Sequence, residues 1–275
     1  IYTLIPNDTK AVLVTEEYDD VCAHLLSNNI KGKLSNSVFD SKLLNLTLQH
    51  FTPFTSKLDN KVNQSNEVLI SFHAPYTHLD QVFFSKLSRK GYSALQKYLK
   101  RNVEESFPYK LFMYRGEEIR IYTMDYGDFL DFYLTPRYFA VSFQKKLIEK
   151  VIDTYLDETS LFTNPSFCSN CIETVKNKSN LYLKLDSVVF GKKFAFARNI
   201  CDWVAFDFQM KSQGIFCDGV SETSDTIAQS LDHVLALQEK TSVSKTPQVP
   251  STTCYLSHWS VSNIQAIFDY YFEYD

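Results

Sequence analysis

Alternation of apolar and polar positions predicts strands in several parts of the chain. Leu44, Leu46 and Leu48 alternate with polar residues, which is the period of a half-buried strand. Other apolar runs predict strands or hairpins at 2–15, 68–72, 110–114, 117–123, 181–189, 194–197 and 203–211. The Arg115-Gly116 step between two of these runs is typical of a β-hairpin turn.

Helical spacing of apolar residues predicts helices between these strands. One apolar stripe predicts a helix over 142–156 and consists of Phe143, Leu147, Ile148, Val151 and Tyr155. A helical pattern over 79–101 has a predicted break near Gly91. Further helices are predicted at 16–27, 166–176, 225–239 and the aromatic C-terminus, with loops at 56–66 and 240–253. The expected class is therefore α+β, a mixed sheet flanked by helices.

The composition is consistent with an α+β protein and bears on the expected number of domains and the expected compartment. A chain of 275 residues with 44% hydrophobic content predicts one globular domain over 1–275, with possible sub-lobes at 1–107 and 108–275. Phe (22) and Tyr (17) outnumber Gly (7) and Pro (8), which favours regular elements over a turn-dense sandwich. No apolar run is long enough to span a membrane, and no signal pattern is visible. We expect an intracellular protein, in the cytoplasm or nucleus, without a membrane partner.

Charge and cysteine patterns define two further candidates. The net charge of −4 gives no global field for a polyanion, so a nucleic-acid site must be a local patch. Such a patch lies in the acid-free stretch between Asp80 and Glu104, with interleaved tyrosines, and includes Lys86, Arg89, Lys90 and Lys97. The alternative is a solvated helix face. The lone Cys168-x-x-Cys171 would need Cys201 and Cys217 to hold zinc, and buried thiols are the alternative.

The second half of the chain carries the set of residues that best matches a reaction mechanism. Leucines alternate over 181–185, so Lys184 and Asp186 fall on the other face of the predicted strand. The next strand places Gln209 and Lys211 together, and Glu173 comes from the preceding helix. Carboxylates that hold a divalent metal, with a lysine that stabilises developing charge, fit metal-dependent phosphodiester cleavage.

These segments resemble the core of the PD-(D/E)xK nuclease superfamily and, within it, the DXO family of RNA 5′-end decapping and exonuclease enzymes. The order helix, three strands, helix matches that core. The resemblance covers about a third of the chain and rests on Tyr114-Arg115-Gly116, Ser169-Asn170-Cys171-Ile172-Glu173, Lys184-Leu185-Asp186 and Gln209-Met210-Lys211.

The resemblance implies a role for each of these residues. Glu173 and Asp186 would hold Mg²⁺ or Mn²⁺, Gln209 would complete the catalytic set, and Lys211 would stabilise the transition state. Arg115 would contact a phosphate of the RNA. Catalytic residues are thus expected at Glu173, Asp186, Gln209 and Lys211.

Three positions depart from the family pattern. The family has glycine, glutamate and glutamate where this chain has Ser169, Lys184 and Gln209. The last two changes remove two negative charges from the expected metal shell. A retained metal-dependent RNA hydrolase and an RNA-binding pseudoenzyme both stay open. A second hypothesis, from another class, is a non-enzymatic protein–protein interaction module that docks partners on aromatic surfaces, and a third is a secreted, disulfide-bonded protein.

Overall fold

The structure is a computed structural model, and it describes part of the chain. The described residues are 1–18, 20, 21, 23, 67–74, 80–102, 109–123, 129–164, 167, 178–184, 203–211, 214–222, 238–239 and 262–265. Several predicted elements lie wholly or almost wholly outside them: the strands at 44–48 and 194–197, the loops at 56–66 and 240–253, and the helices at 166–176, 225–239 and the C-terminus.

The described strands form a single sheet. They are β1 (Ala11–Thr15), β2 (Val68–Phe72), β3 (Gln81–Lys86), β4 (Lys110–Tyr114), β5 (Glu117–Thr123), β6 (Phe129–Leu134), β7 (Tyr138–Ser142), β8 (Ser179–Lys184), β9 (Trp203–Lys211) and β10 (Gly214–Glu222). Their order across the sheet is β10-β9-β8-β1-β2-β3-β7-β6-β5-β4. Every described pairing is antiparallel. The α+β class is confirmed, but this part of the sheet is antiparallel rather than mixed.

The sheet consists of three antiparallel meanders joined at two seams. Strands β1 to β3, β4 to β7 and β8 to β10 each pair in chain order. One seam pairs β3 with β7, and the other pairs β1 with β8. The second seam brings together residues that are far apart in the chain, because Ala11 lies opposite Leu183.

The central strands of the sheet are buried on both faces beneath helical segments. Helix α1 (Arg89–Asn102) packs Leu95 and Leu99 on one face, and helix α2 (Lys145–Asp157) packs Ile148 and Val151 on the other. Two 3₁₀ turns, Tyr2–Leu4 and Leu161–Thr163, extend the α2 layer. Successive residues of a strand point to opposite faces, so a strand covered on both sides is apolar at every position. This explains the sequence of β1 (AVLVT), which is buried throughout.

The predicted helix over 79–101 is wrong in its first part. Residues Gln81–Lys86 form β3, and the helix begins only at Arg89 and runs through Gly91 without a break. The cap is Ser88, whose hydroxyl accepts a hydrogen bond from the Gly91 amide at 3.0 Å. Periodicity cannot separate a strand buried on both faces from a short buried helix, and here pairing with β2 and β7 decides the structure.

The other predicted elements agree more closely with the structure. The hairpin at 110–123 is confirmed with its turn at Arg115-Gly116. The helix over 142–156 begins at Lys145, because Ser142 ends β7, and its predicted stripe residue Tyr155 is exposed. Residues 18, 20, 21 and 23 are helical, within the helix predicted over 16–27. Strands β6, β7 and β10 had no predicted counterpart.

The sheet takes strands from both of the expected sub-lobes, since β3 pairs with β7 and β1 pairs with β8. The boundaries at 1–107 and 108–275 stay a prediction. Within the residues described, no helix is both long and apolar enough to cross a membrane.

Candidate functional site

Strand β4 is the outermost strand at one end of the described sheet, and its surface is apolar. Three consecutive side chains are exposed: Leu111 at 51%, Phe112 at 36% and Met113 at 56%. Most edge strands are protected by charged residues, proline or a bulge. The strand sequence KLFMY has one charge, at its first residue, and its pairing with β5 is regular. We call residues 110–114 the edge surface.

Strand pairing with β5 fixes the faces of the edge surface. Phe112 lies opposite Ile119, a buried residue of the α2-side core, so Phe112 also projects to the α2 side. The Lys145 ammonium lies 3.7 Å from the centre of the Phe112 ring. Leu111 and Met113 alternate with Phe112 and project to the α1 side.

The turn that follows β4 is held against α2 by ionic contacts. Arg115 and Gly116 have φ angles of 50° and 89°, as expected in a type I′ turn. The Arg115 guanidinium lies 2.8 Å from Asp153 and 2.7 Å from Asp157, and the Tyr114 hydroxyl donates to Asp153 at 3.0 Å. Hydrogen bonds from Arg115 lower the pKa of the Asp157 carboxyl. The expected phosphate contact at Arg115 is therefore already engaged by two carboxylates.

Helix α1 carries the basic part of the expected RNA surface. Its buried face includes Leu95 and Leu99, which leaves Arg89, Lys90 and Lys97 exposed on the opposite side. No acidic residue lies in the first turn of the helix. We call Arg89, Lys90 and Lys97 the basic face.

Lys86 does not share the setting of the basic face. It ends β3, and its ammonium pairs with Glu67. Glu67 also accepts a hydrogen bond from the Tyr2 hydroxyl at 2.8 Å. Burial and this contact with Glu67 raise the pKa of Tyr2. Of the expected phosphate contacts, Lys86 and Arg115 thus neutralise carboxylates of the chain itself.

The register of β8 and β9 separates parts of the expected nuclease site. Lys184, at the end of β8, lies opposite Trp203 at the start of β9. Gln209 lies six residues farther along β9, which corresponds to about 20 Å in a strand. The two strands are adjacent, as expected, but the described Lys184 end is far from Gln209 and Lys211.

Most of the remaining nuclease-like residues fall outside the described part of the chain. Glu173 and Asp186 are not among the described residues, and neither is the side chain of Lys211. Gln209 is exposed. Among the residues that the structure describes, no three His, Cys, Asp or Glu side chains are grouped closely enough to hold a metal ion. Convergence of the four expected catalytic residues stays a prediction.

On the α2 side of the sheet a serine, a histidine and an aspartate lie next to one another, an arrangement that the sequence did not suggest. Ser71 Oγ lies 2.9 Å from His73 Nε2, and His73 Nδ1 lies 3.6 Å from Asp8 Oδ1. Contacts with His73 and Lys150 hold the pKa of the Asp8 carboxyl well below its usual range. The order serine, histidine, aspartate resembles a nucleophile with its base, but Ser71 is fully buried. This arrangement is structural, because a substrate cannot reach the hydroxyl.

A buried carboxylate lies in the same row of the sheet as Ser71. The antiparallel register aligns Ser71, Val82, Ser142 and Asp131 across four strands. Asp131 is 2% exposed, and its Oδ1 atom accepts no hydrogen bond from the described residues. Burial raises the pKa of Asp131 to about 6, with Lys145 and Glu149 acting in opposite directions.

Two of these features had a visible but ambiguous signal in the sequence. Leu111-Phe112-Met113 is an apolar run without alternation beside a turn, and such a run is equally typical of a buried strand. Asp131 is a lone acid within the apolar run FLDFYL. Exposure in the first case and burial in the second depend on which strands pair.

Comparisons with known proteins do not assign the chain to a family. No protein-family model matches the chain, and no curated protein matches it. Two solved structures of TP0453 are similar at 11% sequence identity. Crystal form III has a TM-score of 0.46 over 88% of this chain and 89% of that chain. Crystal form I has a TM-score of 0.43 over 78% and 75%. These TM-scores are too low to assign a fold family or a function to the chain.

Proposed function

We propose that the chain is a non-enzymatic protein-interaction module that accepts an extended segment of a partner on the edge surface. The observation that supports this proposal is the exposure of Leu111, Phe112 and Met113 on the outermost strand of the described sheet. An edge strand offers backbone N–H and C=O groups for strand addition, and its side chains select the partner.

The other end of the sheet makes a useful contrast. Strand β10 carries exposed Asp218 at its centre, near exposed Val220, and a charge on an edge strand resists pairing. Gly219 in β10 lies against the ring of Phe206, where an added Cβ would come within 2.7 Å of the ring. Among the described side chains, the exposed part of β10 thus includes a charge, whereas Leu111, Phe112 and Met113 form an exposed run without one.

Binding energy at the edge surface would come from apolar burial and backbone hydrogen bonds. Complete burial of a large apolar side chain stabilises by about 1.5–3 kcal/mol. Leu111 and Met113 are about half exposed, so each would contribute roughly 1 kcal/mol when a partner covers it. The partner should therefore present apolar side chains at alternate positions.

The test is capture followed by affinity measurement. Tagged wild-type protein is incubated with extract of cells that express the native protein, and each captured protein, including untagged copies of this chain, is purified. Its dissociation constant is then measured with the wild type, with Leu111→Lys/Met113→Lys and with Phe129→Lys. Phe129 is the matched control because it is 50% exposed but belongs to β6.

We expect at least one captured protein to bind the Leu111→Lys/Met113→Lys variant at least tenfold more weakly than the wild type. Phe129→Lys should bind like the wild type. The proposal is overturned if no captured protein depends on the two β4 side chains. A captured protein that both variants bind equally does not count as support.

A second candidate function is RNA binding by a nuclease-like chain with an impaired site. The basic face supports it, because Arg89, Lys90 and Lys97 are exposed on one helix without an acid in its first turn. Phosphates of single-stranded RNA would contact these three cations. The replaced carboxylates at Lys184 and Gln209 favour binding without cleavage.

This candidate is tested with RNA carrying a 5′ monophosphate, a triphosphate or a cap. Arg89→Ala/Lys90→Ala/Lys97→Ala should reduce the slope of log affinity against log salt by about 2, since each lost phosphate contact removes about 0.7. An unchanged slope contradicts RNA binding by the basic face. Cleavage in Mg²⁺ or Mn²⁺ that is abolished by Asp186→Ala and Lys211→Ala would instead support an active nuclease.

A further inference from the structure

The backbone of β4 has a defined open side. A two-residue turn of type I′ closes the β4–β5 hairpin, and Tyr114 pairs with Glu117 beside it. In such hairpins the closing pair exchanges hydrogen bonds, and the pattern alternates along the strand. Tyr114, Phe112 and Lys110 thus direct their backbone groups toward β5. Leu111 and Met113 direct theirs to the open side of the described sheet.

The open side of β4 is complementary to itself. If two copies of β4 meet antiparallel about a two-fold axis at Phe112, Leu111 of each copy faces Met113 of the other. These two positions are the ones whose N–H and C=O groups point outward, so the pairing forms four hydrogen bonds. Phe112 meets its own symmetry mate as a non-hydrogen-bonded pair, in which side chains approach most closely. The hydrogen-bonding register and the exposed apolar side chains therefore favour the same two-fold arrangement.

Charges at this two-fold arrangement are compatible as well. Lys110 of one copy would face Tyr114 of the other, whose hydroxyl contacts Asp153. One guanidinium, Arg115, is shared there by Asp153 and Asp157, which leaves this corner with a net negative charge. The lysine thus approaches an acidic corner. Each Lys145 beside Phe112 is paired with Glu149 at 2.8 Å, which limits repulsion across the axis.

We propose that the partner of the edge surface is a second copy of this chain, bound through antiparallel two-fold pairing of β4 with β4. This inference rests on the proposed function and names its partner. A two-fold contact uses the same strand of both copies, so it closes as a dimer and does not propagate. The pairing strand is short and buries less than a standard interface of about 800 Å² per partner. The dimer should therefore be weak, with a dissociation constant roughly in the micromolar to millimolar range.

The register predicts a rescue that non-specific association would not show. Leu111→Lys/Met113→Lys places lysines opposite each other at the two pairs that flank the central Phe112 pair of the dimer. Leu111→Lys/Met113→Glu instead places a lysine opposite a glutamate at both pairs. The two variants change the same positions, and across the dimer they differ in whether the facing charges repel or attract. Within each chain position 113 also faces Glu118 of β5, so the stability of each variant is measured as well. Phe129→Lys adds an exposed charge outside β4 and serves as a control.

Sedimentation velocity from about 5 to about 500 µM protein tests the proposal, since weak dimers dissociate within this range. Wild type and Phe129→Lys should shift from monomer toward dimer as concentration rises. The Lys/Lys variant should have a dissociation constant at least tenfold higher. The Lys/Glu variant should associate at least fivefold more tightly than the Lys/Lys variant, and added salt should weaken it. Thermal unfolding of each variant checks that the fold is intact.

A wild-type chain that stays monomeric at the highest concentration overturns the dimer. A Lys/Glu variant that associates no better than the Lys/Lys variant overturns the two-fold register, and with it the proposal. Either result leaves the proposed function standing if a different captured protein still requires Leu111 and Met113. Failure of both experiments removes the edge surface as a docking site altogether.

Discussion

Replacing the buried Asp131 by asparagine should make stability less dependent on pH. Burial raises the pKa of this carboxyl from 3.8 in the unfolded chain to about 6 in the fold. The folded chain therefore binds the proton more tightly than the unfolded chain. As pH rises from about 4 to 6, the folded state must ionise a group that the unfolded state has already ionised, so stability falls over this window. The loss is complete about one pH unit above the folded pKa of about 6.

The size of the effect follows from the pKa difference. A pKa change of one unit corresponds to 1.36 kcal/mol, so Asp131 costs the folded state about 3 kcal/mol at neutral pH relative to its protonated form. The amide of the Asp131→Asn variant does not titrate, so this cost is absent from the variant. The amide has a burial cost of its own, but that cost does not depend on pH. The measured quantity is therefore the free energy of unfolding of the variant minus that of the wild type, followed as a function of pH.

Urea unfolding of both proteins at pH 3.5, 5, 6 and 7.5, followed by tryptophan fluorescence, measures that difference. The free energy of unfolding of Asp131→Asn minus that of the wild type should rise by about 2–3 kcal/mol across this range. Asp157→Asn is the control with the opposite sign, because Arg115 lowers the pKa of Asp157 from 3.8. The wild type therefore loses that stabilisation only as pH falls to about 4 and below, at the acidic end of the series. A difference for Asp131→Asn that does not change with pH would show that burial does not raise the pKa of Asp131.

Three further substitutions test the fold by urea unfolding. Gly116→Ala should lower the free energy of unfolding by about 1–2 kcal/mol, because φ is +89° at this position. The added Cβ would meet no atom, so the cost comes from the backbone conformation alone, and Gly116→Asn should recover part of it. Gly219→Ala should cost about 1–3 kcal/mol through overlap with the Phe206 ring, and Phe206→Leu should relieve it; equal costs in both backgrounds would contradict the overlap. Ile148→Ala should cost about 2–5 kcal/mol, whereas exposed Lys146→Ala should cost almost nothing.

Local patterns predicted the elements whose signals are contained in a few neighbouring residues. The hairpin at 110–123 has two apolar runs and an Arg-Gly turn, and the structure confirms it. The faces of β8 and β9 were also predicted, since Leu181, Leu183 and Val204 share one core. Residues 81–86 were assigned to a helix because their apolar pattern fits a buried helix as well as a buried strand. Pairing with β2 and β7 makes this segment strand β3.

The candidate sites depended on contacts that a linear pattern does not contain. Arg115 binds carboxylates 38 and 42 residues away in the chain, and Lys86 binds one 19 residues away. Sequence showed these cations but not the acids beside them. The polar face expected for β8 is also partly a core face, because Tyr182 is buried against Phe167. The exposure of β4 follows from its place at the end of the sheet, which only the assembled strand order defines.

The seam between β1 and β8 has a consequence for how the chain folds. Strands β4 to β7 lie close together in sequence, within residues 110–142, and such local contacts form early. The seam instead joins Thr15 to Ser179 by a hydroxyl contact of 2.7 Å across 164 positions of sequence. Closing so long a loop is slow, and until it closes, the edges of β1 and β8 stay open to other chains. Completion of this seam should therefore limit the folding rate and set the period in which the new chain is most prone to aggregate.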